Sequence, residues 1–148
     1  MIKKEKSYTE EFAVQAFNEY MKATVEEECQ EYLNFTPDFS DLNEIVLGKF
    51  LYKEEECCIK MDAINCEITI TAGDKKSVDN FAGLTDHCFF NIGDDGITDE
   101  SEYADVFTQI YDHMIYGMGP WILEAISMVD GTELQYVPIP YDKIQVLN

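Results

Sequence analysis

The sequence predicts a single α+β domain with two N-terminal helices, a mainly antiparallel sheet, one further acidic helix and a C-terminal β-hairpin. Helical and two-residue periodicities occur in separate blocks rather than in alternation, which favours this class over a parallel α/β fold. The 148 residues are 46% hydrophobic, which suffices for one sizeable core but not for two. No internal repeat or low-complexity linker divides residues 1–148.

Two helices are predicted in the N-terminal third. Residues 8–33 carry apolar side chains at helical spacing after a cap at Ser7 or Thr9. Ser40 begins a second predicted helix that runs to about Lys53. The last turns of the first helix are crowded by Glu26, Glu27, Glu28 and Glu31. Negative charge is unfavourable at a helix C-terminus, so this end should be weak unless a lysine or a partner compensates.

A change to two-residue periodicity predicts two strands, paired as a hairpin, between residues 54 and 73. The alternating residues are Cys58, Ile59, Lys60, Met61 and Asp62, then Cys66, Glu67, Ile68, Thr69, Ile70 and Thr71. The turn-forming cluster GDKKS at residues 73–77 is expected to end this part of the sheet. HCFFNIG at residues 87–93 is expected to supply a further strand.

The clearest helix is predicted within residues 93–120. Thr98 or Asp99 can cap its start, and a cluster of glycine and proline, Gly117, Gly119 and Pro120, is expected to end it. Its apolar face consists of Tyr103, Val106, Phe107, Ile110, Tyr111 and Met114. Its opposite, acidic face consists of Glu102, Asp105, Gln109 and Asp112.

Residues 121–129 admit two interpretations. The Asp130-Gly131 pair lies between two apolar runs and favours a hairpin, because both residues tolerate positive φ. A helix starting at Pro120 and capped by Gly131 competes with it. In that helix one face would be shared by Trp121, Ile122, Ala125, Ile126 and Val129. The hairpin is our prediction.

The last residues are expected to be extended. Pro138 and Pro140 lack a backbone N–H, so they favour an edge-like segment. A short final strand is predicted at residues 143–147.

The charge balance is the strongest functional signal. Thirty acidic residues face ten lysines and no arginine, for a formal net charge of −20. From Ser77 to Asp142 there are thirteen carboxylates and no lysine, so ion pairing within that segment is impossible. This excess opposes nucleic acid and anionic membranes as partners and favours a basic protein. The alternative is a solvated surface that only maintains solubility.

Cysteine usage and the N-terminus indicate a cytoplasmic protein. The five cysteines are odd in number and lack the spacing of a disulfide framework. No apolar run is long enough to span a bilayer, and MIKKEKSYTEEF is not a secretory signal. A zinc site could be assembled from Cys57, Cys58, Cys66, His87 and Cys88. Adjacent cysteines are poor ligand spacing, so we predict buried free thiols.

Recognisable catalytic and cofactor motifs are missing. There is no nucleophile elbow, phosphate-binding loop or zinc-protease motif, and without arginine no bidentate phosphate clamp can be built. His87 and His113 are interpreted as structural. The run at residues 91–102 has EF-hand-like spacing, but Asn91 and Gly93 replace the usual ligands. We therefore predict no enzyme activity, no metal and no cofactor.

These observations favour a non-enzymatic inhibitor that binds a basic protein surface. Carboxylates would take the place of phosphates, as in a nucleic-acid-mimicking anti-defence protein of the anti-CRISPR or anti-restriction type, of phage or plasmid origin. The partner would be a nuclease or other nucleic-acid-binding protein. The predicted partner-binding residues are Asp94, Asp95, Asp99, Glu100, Glu102, Asp105 and Asp112.

Two other functions compete with this one. The first is an immunity protein or acidic adaptor that neutralises a specific basic protein or toxin, anchored by exposed aromatic residues. Its candidate anchors are Tyr103, Tyr111, Tyr116, Trp121 and Tyr136. The second, a small metal-dependent enzyme, would show a metal-induced rise in melting temperature.

Replacing Glu102, Asp105 and Asp112 together with lysine should abolish binding to a basic partner while the fold survives. Like charges brought together at an interface can cost several kcal/mol. Surface substitutions usually change stability by no more than about 0.5 kcal/mol each. A binding titration measures the first effect, and thermal unfolding followed by circular dichroism measures the second.

The matched control reverses Glu10, Glu11 and Glu19, where nearby lysines dilute the field. This control should keep most of the binding. Wild-type binding by the folded triple variant would show that the predicted acidic helix is only a solvated face.

Overall fold

A computed structural model describes residues 17–19, 21–63, 67–80 and 117–147. These residues form one α+β unit around a continuous hydrophobic core. In chain order its elements are helix α1 (Lys22–Leu33), strands β1 (Ile45–Tyr52), β2 (Glu55–Asp62), β3 (Glu67–Ala72) and β4 (Lys75–Asn80), helix α2 (described over residues 117–130), a 3₁₀ turn (Tyr141–Lys143) and strand β5 (Ile144–Val146). Residues 17–19 are also helical. The predicted α+β class is confirmed.

The five strands form one antiparallel sheet in the order β4-β3-β2-β1-β5. The predicted β2–β3 hairpin is confirmed, with Ile59 opposite Ile70. The expectation that residues 73–77 end the sheet is wrong, because the chain turns at Gly73 (φ +61°) and continues as β4. Glycine at the first position of a two-residue turn suits a tight hairpin. The sequence did not predict β4, because this edge strand carries polar residues such as Lys75 and Lys76 and lacks the apolar alternation that marks a half-buried strand.

The predicted second helix, from Ser40 to about Lys53, is wrong. Residues 45–52 form β1, and the register between β1 and β2 shifts between Val46 and Gly48. A bulge of this kind adds one residue to the strand and interrupts the two-residue period. The apolar positions therefore mimicked helical spacing.

Helix α1 ends without basic charge but with a complete cap. Its last turn contains no basic residue. Asn34 adopts the left-handed conformation at φ 51°, and the N–H groups of Asn34 and Phe35 donate to the carbonyls of Gln30 and Cys29. The Gln30 side chain also donates to the Phe35 carbonyl at 3.0 Å. The crowded glutamates are thus tolerated because hydrogen bonds satisfy the helix end.

The predicted C-terminal hairpin over residues 121–129 is wrong, and the competing helix is observed. Residues 117–130 are helical, so the glycine and proline cluster at residues 117–120 does not terminate a helix. Gly131 follows at φ +71°, and the Thr132 N–H donates to the Ser127 carbonyl at 3.1 Å. This is the pattern of a Schellman cap, which requires a residue that accepts positive φ. The Asp-Gly signal therefore marks the end of a helix here.

The predicted short final strand is confirmed at Ile144–Val146. It pairs antiparallel with β1 and forms one edge of the sheet. The Leu147 N–H extends this pairing by donating to the Lys49 carbonyl at 2.8 Å. The sequence placed the strand correctly, and the structure supplies its partner, β1.

Both helices pack on the same face of the sheet. Gly48, Ile59, Ile70 and Ser77 are paired across β1, β2, β3 and β4, so their side chains share one face. Gly48 lies against Leu33 of α1 at one end of this row. At the other end, the Ser77 hydroxyl donates to the Glu124 carboxylate of α2 at 2.6 Å.

Three lysines lie on the opposite face of the sheet. Lys49 and Lys76 belong to one cross-strand row through Cys58 and Thr71. Lys60 lies on the same face and forms an ion pair with Glu44 at 2.9 Å. Lys75, by contrast, lies on the helical side, where it donates to the Met128 carbonyl of α2 at 2.7 Å.

Several predictions lie outside the described residues. These are the start of the first helix, the strand at residues 87–93 and the acidic helix through residue 116. Among the helices that the structure does describe, none has the length and hydropathy needed to cross a bilayer.

The close contact between Leu33 and Gly48 predicts that enlarging Gly48 and shortening Leu33 will partly compensate each other in unfolding free energy. A Cβ on Gly48 would overlap the Leu33 Cδ1 atom, so Gly48→Ala should destabilise the fold by about 1–3 kcal/mol. Leu33→Ala should cost about 2–5 kcal/mol, because Leu33 is fully buried. The double variant should be more stable than the sum of the single costs implies, since the new methyl group enters the space that leucine vacates. Urea denaturation of the four proteins measures this coupling, and strictly additive costs would contradict it.

Candidate interaction surface

The residues predicted to bind a partner lie outside the described part of the chain. This holds for Asp94, Asp95, Asp99, Glu100, Glu102, Asp105 and Asp112. It also holds for both histidines and for the EF-hand-like run at residues 91–102. The described residues nevertheless carry a surface that the sequence only partly indicated.

This surface is centred on residues 132–142, here called the C-terminal strap. Among the described residues, the exposed large hydrophobic side chains are Val78, Tyr136, Val137 and Tyr141. Three of these four lie on the strap, with 76% of Tyr136 and 50% each of Val137 and Tyr141 exposed. Exposed aromatic residues clustered within six positions are typical of an interaction site, whereas scattered single ones are not.

Local hydrogen bonds hold the strap in shape. Pro140 has φ −80° and ψ 73°, and the Tyr141 N–H donates to the Ile139 carbonyl at 2.9 Å. These values describe an inverse γ-turn. The Lys143 N–H donates to the Pro140 carbonyl at 2.8 Å, and Ile139 packs against the core. The tyrosines are therefore displayed from a restrained backbone, which lowers the entropy that a partner must remove on binding.

A cleft of about 190 Å³ lies between the strap and α2. Leu123 and Ile126 of α2 contribute apolar walls. Asp130, Glu133 and Gln135 contribute carboxylate and amide groups. The cleft therefore combines apolar walls with hydrogen-bonding groups, of which Asp130 is already bound to Tyr52 and Lys53.

A clasp of three side chains joins the β1–β2 turn to the end of α2. The Tyr52 hydroxyl donates to one Asp130 oxygen at 2.9 Å, and Lys53 Nζ contacts the other at 2.6 Å. The Lys53 hydrogen bond is the main reason that the pKa of Asp130 lies below its usual value. Burial and the Asp130 carboxylate raise the pKa of Tyr52. Asp130 lies at the C-terminus of α2, where the helix dipole disfavours negative charge, and the ion pair with Lys53 compensates that charge.

The turn that carries Lys53 is itself strained. Lys53 and Glu54 have φ values of 51° and 66°, in the left-handed region that glycine and asparagine prefer. Two non-glycine residues there cost about 1–2 kcal/mol each. The clasp to Asp130 is one of the contacts that hold this turn in place.

Exposed carboxylates occur on the strap and next to Tyr141. Glu133 and Asp142 are exposed on the strap itself. Burial raises the pKa of Tyr141, and the neighbouring Tyr32 and Glu31 of α1 raise it further. Glu31 therefore lies close enough for its charge to act on Tyr141. The strap therefore combines exposed aromatic rings with exposed carboxylates, and an exposed lysine, Lys143, follows it directly.

A second carboxylate site joins α2 to the edge strand β4. Besides accepting the Ser77 hydrogen bond, Glu124 lies within hydrogen-bonding reach of Asp79. Burial raises the pKa of Glu124, and the like charge of Asp79 raises it further. The two carboxylates repel one another when both are ionised.

The described cysteines are free, buried thiols. Burial raises the pKa of both Cys29 and Cys57 to about 12, and it also raises the pKa of Cys58. Thiols of such high pKa are poor nucleophiles at neutral pH. Cys57 and Cys58 are adjacent on β2 and point to opposite faces, which separates them as ligands. Within the described ranges no group of three or more His, Cys, Asp or Glu residues could hold a metal ion.

The candidate aromatic anchors divide into two groups. Trp121 is buried in the core with 9% of its surface exposed, whereas Tyr136 is 76% exposed. The other three, Tyr103, Tyr111 and Tyr116, lie outside the described residues. Tyr141 was missed, although the flanking prolines of YVPIPY already disfavoured a core position for this segment.

Comparison of the chain with protein-family models, curated protein sequences and solved structures found no match. The inference of function therefore starts from the chemistry of the surface. Two properties of that surface matter most: the excess of carboxylates and the exposed aromatic strap.

Asp130→Asn should destabilise the fold by about 0.5–1 kcal/mol at neutral pH, because it weakens a largely exposed ion pair and the Tyr52 hydrogen bond. The folded pKa of Asp130 lies below its unfolded value of 3.8. Its stabilising effect is therefore present above that value and is lost as the pH falls through the folded pKa. The difference in unfolding free energy between wild type and variant, measured in urea at several pH values, should shrink in acid.

Glu124→Gln provides the control, because the pKa of Glu124 is shifted in the opposite direction from that of Asp130. The folded pKa of Glu124 is raised above 4.5, so its stabilising effect is present below 4.5 and is lost as the pH rises through the folded pKa. This variant should match wild type in acid and be the more stable protein at neutral pH. Parallel pH profiles for the two variants would contradict both assignments.

Proposed function

We propose that this protein is a non-enzymatic inhibitor that binds a basic protein surface. The partner is a nuclease or another nucleic-acid-binding protein, and the carboxylates occupy positions that nucleic-acid phosphates would take. This is the mode of a nucleic-acid mimic of the anti-CRISPR or anti-restriction type.

The excess of exposed carboxylates carries the proposal. With thirty acidic residues against ten lysines, at least twenty carboxylates exceed the available cations. The described residues contain nineteen carboxylates, of which fifteen are exposed. Self-repulsion on this scale destabilises a compact fold, and a cationic partner relieves it.

The described acidic groups lie on protruding parts of the fold. Glu27 and Glu31 are exposed one turn apart on α1, where like charges are mutually unfavourable. Residues 54–56, all glutamates, are exposed at the β1–β2 turn. Prominent charges of this kind meet an approaching protein first and steer its association.

Lysines lie on both sides of the sheet. Lys49, Lys60 and Lys76 lie on the sheet face away from α1 and α2. They are therefore separated from the α1 glutamates by the sheet itself. Lys22 belongs to α1, and Lys75 donates to the Met128 carbonyl of α2, so the helical side also carries lysines. The exposed glutamates of α1, Glu26, Glu27 and Glu31, still outnumber its single lysine, which supports an acidic surface there.

The sequence adds a second acidic surface to the proposal. It contains Asp94, Asp95, Asp99, Glu100, Glu102, Asp105 and Asp112. On a helix that rises 1.5 Å per residue, carboxylates three to seven residues apart are separated by about 4.5 to 10 Å along the axis. These steps fall in the range of phosphate spacings along nucleic acid.

A protein-specific immunity or adaptor function is the second candidate. The exposed tyrosines of the strap favour it, because aromatic anchors give an interface specificity that charge alone does not supply. Both candidates require a basic partner. They differ in whether nucleic acid competes for the same surface.

Displacement by nucleic acid tests the proposal. The full-length protein is immobilised, basic proteins are captured from a bacterial lysate, and the bound fraction is challenged with double-stranded DNA or with RNA. We expect release of the captured partner by nucleic acid, together with an association rate that falls between low and physiological salt, since charges are screened beyond about 8 Å there.

The control resin carries the variant with Glu102, Asp105 and Asp112 replaced by lysine. It should retain much less of the partner. A partner that stays bound at saturating DNA and RNA would favour the immunity or adaptor function. An association rate independent of salt would overturn the electrostatic basis of both.

A further inference from the structure

We infer that the C-terminal strap is the docking site for an arginine-bearing segment of the basic partner, with Tyr136 and Tyr141 stacking on guanidinium groups. This inference rests on the proposed function, since it assumes a basic protein partner. It adds the anchor residues and the side chain that they recognise.

The exposed rings are the first reason. Tyr136 and Tyr141 present 76% and 50% of their surfaces to solvent, on a segment that Pro138 and Pro140 restrain. A guanidinium group is planar and weakly hydrated, so it stacks on aromatic faces more readily than an ammonium group does. Rings held on a restrained backbone lose little entropy when a flat group covers them.

The surrounding charge is the second reason. Glu133 and Asp142 are exposed on the strap, and Glu31 of α1 acts on Tyr141. A carboxylate next to an aromatic ring can accept hydrogen bonds from the same guanidinium that stacks on the ring. The nearby Asp130 is already bound to Lys53 and Tyr52. Glu133, Asp142 and Glu31 are therefore the carboxylates available to an incoming arginine, and they outnumber the exposed lysine that adjoins the strap, Lys143.

The same charges argue against a nucleic acid at this site. Exposed tyrosines can stack on unpaired bases. A base, however, brings its phosphate with it, and Glu133, Asp142 and Glu31 would repel that phosphate. An arginine side chain of a protein can stack on the aromatic rings and also pair with the carboxylates.

The test compares two defined peptides of equal charge, one with arginine and one with lysine alternating with glycine. Binding of each labelled peptide to the full-length protein is followed by fluorescence anisotropy at physiological salt. We expect the arginine peptide to bind about fivefold more tightly than the lysine peptide, as about 1 kcal/mol of added cation–π stacking implies. Variants with only Tyr136 or only Tyr141 replaced by leucine then show how much each ring contributes to the preference for the arginine peptide.

Tyr136→Leu/Tyr141→Leu should remove the arginine preference and leave the lysine peptide unaffected, because leucine keeps apolar area but lacks the ring. Tyr136→Phe/Tyr141→Phe should keep the preference. Val78→Ala, which alters an exposed apolar residue on β4, should change nothing. Substitutions at such exposed sites have little effect on stability, which thermal unfolding verifies.

The outcomes separate this inference from the proposed function. An arginine preference that survives in the leucine variant overturns the docking site. Equal, salt-sensitive binding of both peptides to the wild type also overturns it, while the proposed basic partner stands. If neither peptide binds, the docking site is overturned, and the nucleic-acid displacement experiment decides the proposed function separately.

Discussion

The fold depends on burying one face of a five-stranded sheet beneath two helices. A single cross-strand row shows how this is achieved. Gly48 at one end of the row has no side chain, so Leu33 of α1 can approach the sheet. Ser77 at the other end binds Glu124 of α2 through its hydroxyl group. Between them Ile59 and Ile70 are fully buried and belong to the hydrophobic core, whose burial stabilises the fold.

This layering also determines where charge can be placed. Residues that alternate away from the helices include three of the described lysines, whereas the outer side of α1 carries exposed glutamates. Lysines also lie on the helical side, as Lys22 of α1 and Lys75 against α2 show, but the exposed glutamates of α1 outnumber its one lysine. A charged group near a helix end remains only where the local structure accommodates it, as the Lys53 clasp does for Asp130. The strap passes beside these groups because β5 must return to pair with β1.

Local patterns predicted the elements whose sequence follows one period without interruption. The β2–β3 hairpin alternates cleanly, and β5 follows two prolines, so both were predicted correctly. Strand β1 was mistaken for a helix because its bulge breaks the alternation. Strand β4 was missed because an edge strand has little need of apolar residues. For residues 121–129 the pattern allowed both a helix and a hairpin, and the wrong one was chosen.

The candidate surface was predictable in its charge but not in its shape. Composition alone determined that this protein carries a large negative excess, lacks arginine and has several tyrosines near its C-terminus, because these properties do not depend on conformation. Only the tertiary structure decided that Trp121 belongs to the core while Tyr136 and Tyr141 face solvent. The physical reason is that exposure depends on what packs above a residue. For the strap, this is set by the distant contacts that place α2 on the sheet and pair β5 with β1.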